Sequence, residues 1–225
     1  GEQIGDSVLQ GISTFVTVFL VALVLLLSLL LWATPNVNSE LEGKSWSFIA
    51  SRPGGRVSIF LGKFLASVLV SFLIALIAVS LCVLLASQAL GVIHPERIWL
   101  ALTGVYLLAA VIYSALFSLI GTLFIKRGMV VAAGYLIGFD IMLGSVPGAL
   151  INKFTIRYHL QEIGLNWLGW FFPGMFGSLA EYRLMFGPAW HVGWHLLAVI
   201  SASVVILGLG IYVIVTREYI TSDQS

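Results

Sequence analysis

Residues 15–33 read "FVTVFLVALVLLLSLLLWA", an unbroken run without a single charge that closes on Trp32 and Ala33. A bilayer core needs about 20 largely apolar residues per helix, and lipid gives backbone N–H and C=O groups no partners but each other. The run meets that length as a helix, and its tryptophan suits the headgroup level. The rest of the chain agrees with a membrane reading. Of 225 residues, 60% are hydrophobic and 9% charged, where a soluble domain carries roughly a quarter charged residues. Mean hydropathy is +1.05.

Working outward, four more apolar runs follow, at about residues 60–90, 98–125, 128–147 and 190–216, with the opening run spanning about 12–34. They predict an all-α, polytopic helical bundle of five spans, a single transmembrane domain over residues 1–225. "GVIHPER" turns the chain at Pro95, so the second and third spans should form an antiparallel hairpin. The fourth is shorter, rich in glycine, interrupted by Asp140 and closed by Pro147. Residues 148–188 are too long for a turn, and their aromatics, glycines and prolines predict short helices at or dipping into the outer face, with tryptophans as anchors. No soluble domain or internal repeat is visible. Net charge is +1, with no clustered basic face, which excludes a nucleic-acid partner. The single cysteine, Cys82, permits no intrachain disulfide and reads as a small apolar residue.

Lys and Arg near the span ends set orientation. Lys44, Arg52, Arg56, Lys63, Lys126, Arg127 and Arg217 fall on one side, seven in all; Arg97, Lys153, Arg157 and Arg183, four in all, fall on the other. The loop at 35–59 and the C-terminus are therefore expected in the cytoplasm. That places residue 1 outside, and a sixth span upstream of Gly1 would bring both ends inside.

The cytoplasmic loop holds "NSELEGKSWSFIASRPGGR", residues 38–56. Its Gly43-Lys44-Ser45 matches the end of a phosphate-binding loop, but the upstream glycine such a loop requires is Asn38 here, and Glu40 and Glu42 would repel the anion. A helix explains the residues better. Ser39 with Glu42 makes a capping box, and the acids complement the dipole of a helix starting near Glu40. Leu41, Ser45, Phe48, Ile49 and Arg52 share one face. Pro53, Gly54 and Gly55 stop the helix and reverse the chain, and Arg56 opens the next one. The result is an elbow between two spans.

At these residues the chain resembles the permease subunits of ABC transporters of the type 2 exporter family. Glu40 and Glu42 with Gly43, then Ser51-Arg52-Pro53, Arg56 and Leu61-Gly62-Lys63 follow one another in the family's order. The resemblance extends through the span pattern and is weakest over 148–188. It implies that the elbow docks a separate ATP-binding cassette ATPase, with Glu40, Glu42, Gly43, Lys44, Arg52, Pro53, Arg56 and Lys63 forming or shaping the contact. It implies a six-span permease pairing with a second permease chain, identical or not, in a prokaryotic cytoplasmic membrane. ATP and its magnesium would sit in the partner ATPase, and this chain would hold no cofactor of its own. Outward transport is likewise an implication of the resemblance.

Three features lie outside that pattern. Asp140 costs about 2.5–3.5 kcal/mol to insert if ionised, so it should face protein or water, either on a translocation path or beside Lys153 or Arg157 near the outer interface. Gly134 with Gly138, and Gly144 with Gly148, have the spacing that lets helices approach closely and predict packing within the subunit. His191 and His195 share a helical face at metal-binding spacing, but Trp190 and Trp194 beside them make them interfacial histidines. Two rival functions are an intramembrane enzyme, using Asp140 or the His191/His195 pair, and a secondary transporter using Asp140. The first lacks a serine-nucleophile or zinc motif, and the second lacks internal repeats or several intramembrane charges. The substrate is not legible, because many cargo classes cross similar apolar scaffolds.

Overall fold

The computed structural model describes residues 21–35, 39–40, 53–90, 95–142, 153–169 and 191–217, which are helical nearly throughout. The helices are α1 (Val21–Ala33), α2 (Gly55–Leu90), α3 (Pro95–Leu123), α4 (Gly128–Met142), α5 (Ile156–Gly169) and α6 (Val192–Thr216). Among the described residues three helices, α2, α3 and α6, are long and apolar enough to cross a membrane. Helices α1 and α4 are apolar but shorter over these residues. Positions 12–20 and 143–147 of the corresponding predicted spans lie outside the described residues, as do residues 41–52, most of the segment in which an elbow helix is expected.

Pro95 opens α3 at the first helical turn, where its missing N–H costs nothing. The α2–α3 hairpin is tied near its turn by Trp99 Nε1, which donates to Ser80 Oγ at 2.9 Å. Helix α2 begins at Gly55, before the predicted entry near residue 60, and its 36 residues make a rod of about 54 Å. A hydrocarbon core is about 30 Å thick, so the rod outlasts it. Along α2, Phe60, Phe64, Ser67, Ser71, Ala75, Val79 and Val83 are buried, while Leu65, Leu69, Leu73, Ile77, Leu81 and Leu84 are exposed. Both faces are apolar. That pattern belongs to a helix with protein on one side and lipid on the other.

Helix α3 is the centre of the bundle and packs against α2, α4, α5 and α6. Its small residues Ala101, Ala109, Ala110 and Ala115 alternate with the large Tyr106, Tyr113 and Phe117, all buried. The close helix approaches occur at three other glycines. At Gly121 an added Cβ would collide with the Thr34 backbone carbonyl; at Gly104 it would meet the Trp167 ring at 2.7 Å; at Gly210 it would meet Phe60.

One expectation changes among the described residues. Among the described residues nothing lies within 4 Å of a Cβ added at Gly134 or Gly138, so these glycines pack against none of them; Gly144 and Gly148 lie outside the described residues. Helix α5, in the segment read as short helices at or dipping into the outer face, packs alongside α3 and α6. Its start and the residues before it, Lys153 to Ile156, line a recess together with Ala198, Val199, Ala202 and Val205 of α6, and Trp167 toward its far end lies against Gly104 of α3. Tyr158, Leu160, Ile163, Leu165 and Leu168 form its packed face, and all are buried.

Candidate functional site at the elbow root

The two ends of the elbow are anchored to different helices. At its exit, Pro53 and Gly54 form a turn, and Gly54 adopts φ +74°, a left-handed conformation that glycine enters without steric cost. The Ser58 amide donates back to the Gly54 carbonyl at 3.0 Å, and α2 begins. Arg56, half-buried in this first turn, reaches across to α6. Its Nη1 donates to the Val215 carbonyl at 3.2 Å and to the Arg217 carbonyl at 3.5 Å. Arg217 continues the series. Its Nη1 donates to the carbonyls of Leu123 at 2.7 Å and Thr122 at 3.2 Å, at the end of α3.

Each of these carbonyls belongs to the last turn of a helix or the residue that ends it, where four C=O groups have no partner within the helix and the dipole is negative. A guanidinium answers both needs, since its planar fork carries several donors and its charge suits that end of the dipole. The ends of α6 and α3 are thus closed by arginines from α2 and α6, in that order. Below this chain of contacts, Phe60 and Ile214 are fully buried against each other with Ile59, Leu207 and Ile211 around them, and Phe60 lies over Gly210. The base of α2 cannot shift far without moving the base of α6.

At the elbow entrance, the Lys63 ammonium lies 2.6 Å from Glu40 Oε1 and donates to Ser39 Oγ at 2.6 Å. The pair is roughly a quarter exposed, which screens it only partly. Lys63 lies two turns into α2, so the start of the elbow is fastened to the helix that the elbow itself leads into.

Of the residues expected here, the structure thus joins Glu40 to Lys63, sends Arg56 to α6 and leaves Pro53 exposed in the turn. Glu42, Gly43, Lys44 and Arg52 lie outside the described residues, and so does the Ser39–Glu42 capping box. Ser39 and Arg217 were missed as members of the site. Arg217 carries a sequence signal, a basic residue just past a long apolar helix, where a C-terminal carbonyl needs a cation.

Away from the elbow, Asp140 is buried in the wide π-wound second half of α4, Tyr135–Met142. Tyr113 of α3 donates its hydroxyl to Asp140 Oδ2, and the Arg157 backbone N–H donates to Oδ1 at 3.2 Å. Thr155 Oγ1 accepts from the Tyr158 amide at 3.3 Å. Helix α5 therefore has two N-terminal caps, one from its own Thr155 and one from α4, and a carboxylate suits the positive end of its dipole. The two histidines part company. Exposed His191 caps α6 by accepting from the Gly193 amide at 3.2 Å, while buried His195 turns inward, its Nδ1 3.0 Å from Nδ1 of His159 on α5. Tyr158 lies edge-on to both inner rings.

A family model described as "ABC-2 family transporter protein" matches residues 4–212. No curated protein and no solved structure matches the chain.

Proposed function

Because the chain belongs to the ABC-2 transporter family, and is thereby a multi-pass membrane permease of an ABC transporter, we propose that it carries substrate outward across a prokaryotic inner membrane, driven by a separate ATPase docked on its cytoplasmic elbow. The ATPase holds ATP and magnesium. The elbow at residues 39–56 receives its motion, through Glu40, Glu42, Gly43, Lys44, Arg52, Pro53, Arg56 and Lys63. A second permease chain completes the translocation path.

The observation that supports this reading best is the anchoring of both elbow ends. With Glu40 bonded to Lys63 and Arg56 bonded to the end of α6, a push on the elbow is delivered to α2 and α6 together. Arg217 passes it to α3, the helix at the bundle centre. Packed elements of this kind move as rigid bodies between discrete arrangements rather than bending continuously, as switching of access from one side to the other requires.

The test is co-purification of the ATPase with Arg52→Glu and Glu42→Lys variants, followed by ATP turnover in proteoliposomes. Arg56 is left unaltered because it is also bonded into the bundle. Loss of the ATPase from the complex at unchanged permease yield is expected; association and turnover equal to wild type would remove the assignment.

A further inference from the structure

His159 of α5 and His195 of α6 meet ring to ring, Nδ1 against Nδ1 at 3.0 Å, with ring centroids 5.2 Å apart. An N···N contact this short needs a proton within it, donated by one nitrogen and accepted by the lone pair of the other. At least one of the two rings must therefore be neutral. If both were charged, each Nδ1 would carry a hydrogen, no lone pair would remain, and two like charges would face each other. His195 is 1% exposed, and Tyr158 lies edge-on to both rings, so little solvent is at hand to screen such a repulsion.

Burial and the facing His195 ring push His159 below the usual histidine range, against an upward pull from a hydrogen bond to the Lys153 backbone and from Glu162, three residues along α5. Lys153 lines the same recess as His159. The Arg157 amide is given to Asp140 of α4, which is also bonded to Tyr113 of α3. On α6, His191 is exposed at the N-cap, and α2 meets that helix around Phe60 and Arg56, toward its other end. Opening the contact lets the rings bind protons that the closed contact refuses. The closed state therefore gains as pH rises and loses as pH falls below the ordinary histidine value of about 6.5.

Two other fastenings of α5 go to other helices. Asp140 of α4 caps its start, and Trp167 toward its far end lies against Gly104 of α3, whereas the histidine pair reaches α6. We propose that His159 and His195 form a proton-sensitive latch, which holds the start of α6 against α5 while one ring is neutral and releases it when both are charged. Histidine suits the task because its charge changes between pH 5 and 8 without special tuning. Release frees the end of α6 opposite Arg217 while α5 stays on α3 and α4. It also widens the recess of about 360 Å³ that His159 lines with Ala198 and Ala202. The latch rests on this contact and not on ATPase docking, and it is measured on the permease alone.

The experiment places spin labels at Gln161→Cys on α5 and Leu197→Cys on α6 of the full chain, with Cys82→Ala, in lipid nanodiscs, and reads their separation by dipolar EPR between about pH 8 and 5. One short separation is expected at the alkaline end. A longer one should grow on acidification, its ratio to the short one rising by up to about tenfold per pH unit for each proton taken up. His159→Gln and His195→Gln, which keep a hydrogen-bonding side chain without the titration, should each give a distribution that does not change with pH, while His191→Gln responds as the unaltered pair does. With the pair intact, ring nitrogen-15 signals of labelled histidine should show two rings gaining protons over the interval in which the separation lengthens, a readout that requires no variant at the pair to fold. A separation that ignores pH, a response unchanged in both pair variants, or histidine charging that does not track the separation would overturn the latch. None of these results bears on association of the ATPase, just as loss of that association would leave the latch in place.

Discussion

The Arg217 guanidinium sits 2.7 Å from the Leu123 carbonyl oxygen, joining the end of the last long helix to the end of the central one. The contact couples segments 94 residues apart and closes a carbonyl that α3 leaves without a partner in its own backbone. Substituting glutamine keeps some reach but removes the charge and the fork. The Arg217→Gln variant should unfold about 2–4 °C lower, equivalent to roughly 1 kcal/mol in a chain of this size. If the contact also transmits motion, the variant assembled with its ATPase hydrolyses ATP while moving less cargo per ATP. Thermal unfolding in nanodiscs and a transport-to-hydrolysis ratio read the two effects separately.

The Glu40–Lys63 pair is testable by exchange. Either single reversal, Glu40→Lys or Lys63→Glu, places like charges where the ammonium now lies 2.6 Å from the carboxylate. The double exchange restores the attraction with its sign reversed. A double-mutant cycle on unfolding midpoints should return a coupling of about 0.5–1 kcal/mol, as expected for a partly exposed pair. A coupling near zero would mean that the elbow entrance is not held by this contact.

Asp140 is bonded as a cap for α5, and the cap predicts an order among variants. Asp140→Asn keeps an acceptor oxygen for the Arg157 amide, and its Nδ2 can donate to the Tyr113 hydroxyl oxygen once that hydroxyl turns, so it should cost little stability. Asp140→Ala leaves both donors buried without an acceptor, at about 1–3 kcal/mol, and Tyr113→Phe should fall between. Unfolding curves for the three variants decide it. Normal stability of Asp140→Asn with transport lost would instead place this carboxylate on the translocation path.

The long apolar runs made the helical membrane class legible, because a charge-free stretch of bilayer length has few alternatives in physics. The turn at Pro53 and Gly54 and the start of α2 beside Arg56 were legible for a similar local reason: proline and glycine act on the backbone directly. What escaped was set by distant contacts. Nothing near Gly121 in the sequence says that the Thr34 backbone lies against it, whereas the four-residue spacing of Gly134 and Gly138 promised packing that neither makes with any described residue. His195 shares a helical face with His191 by spacing, but its partner is His159 of α5, 36 residues away in the chain. Only the tertiary fold places Asp140 where it caps the start of α5.

The central claim is that the elbow is where an external ATPase acts. Ser47 lies within the elbow segment, and a photo-crosslinking amino acid placed there in cells expressing the permease with its ATPase reads the contact directly. The account predicts a crosslink to the ATP-binding subunit whose yield changes between nucleotide-free and ATP-bound states. Absence of that crosslink, together with labelling of a Ser47→Cys variant from outside intact cells by a membrane-impermeant reagent, would contradict it.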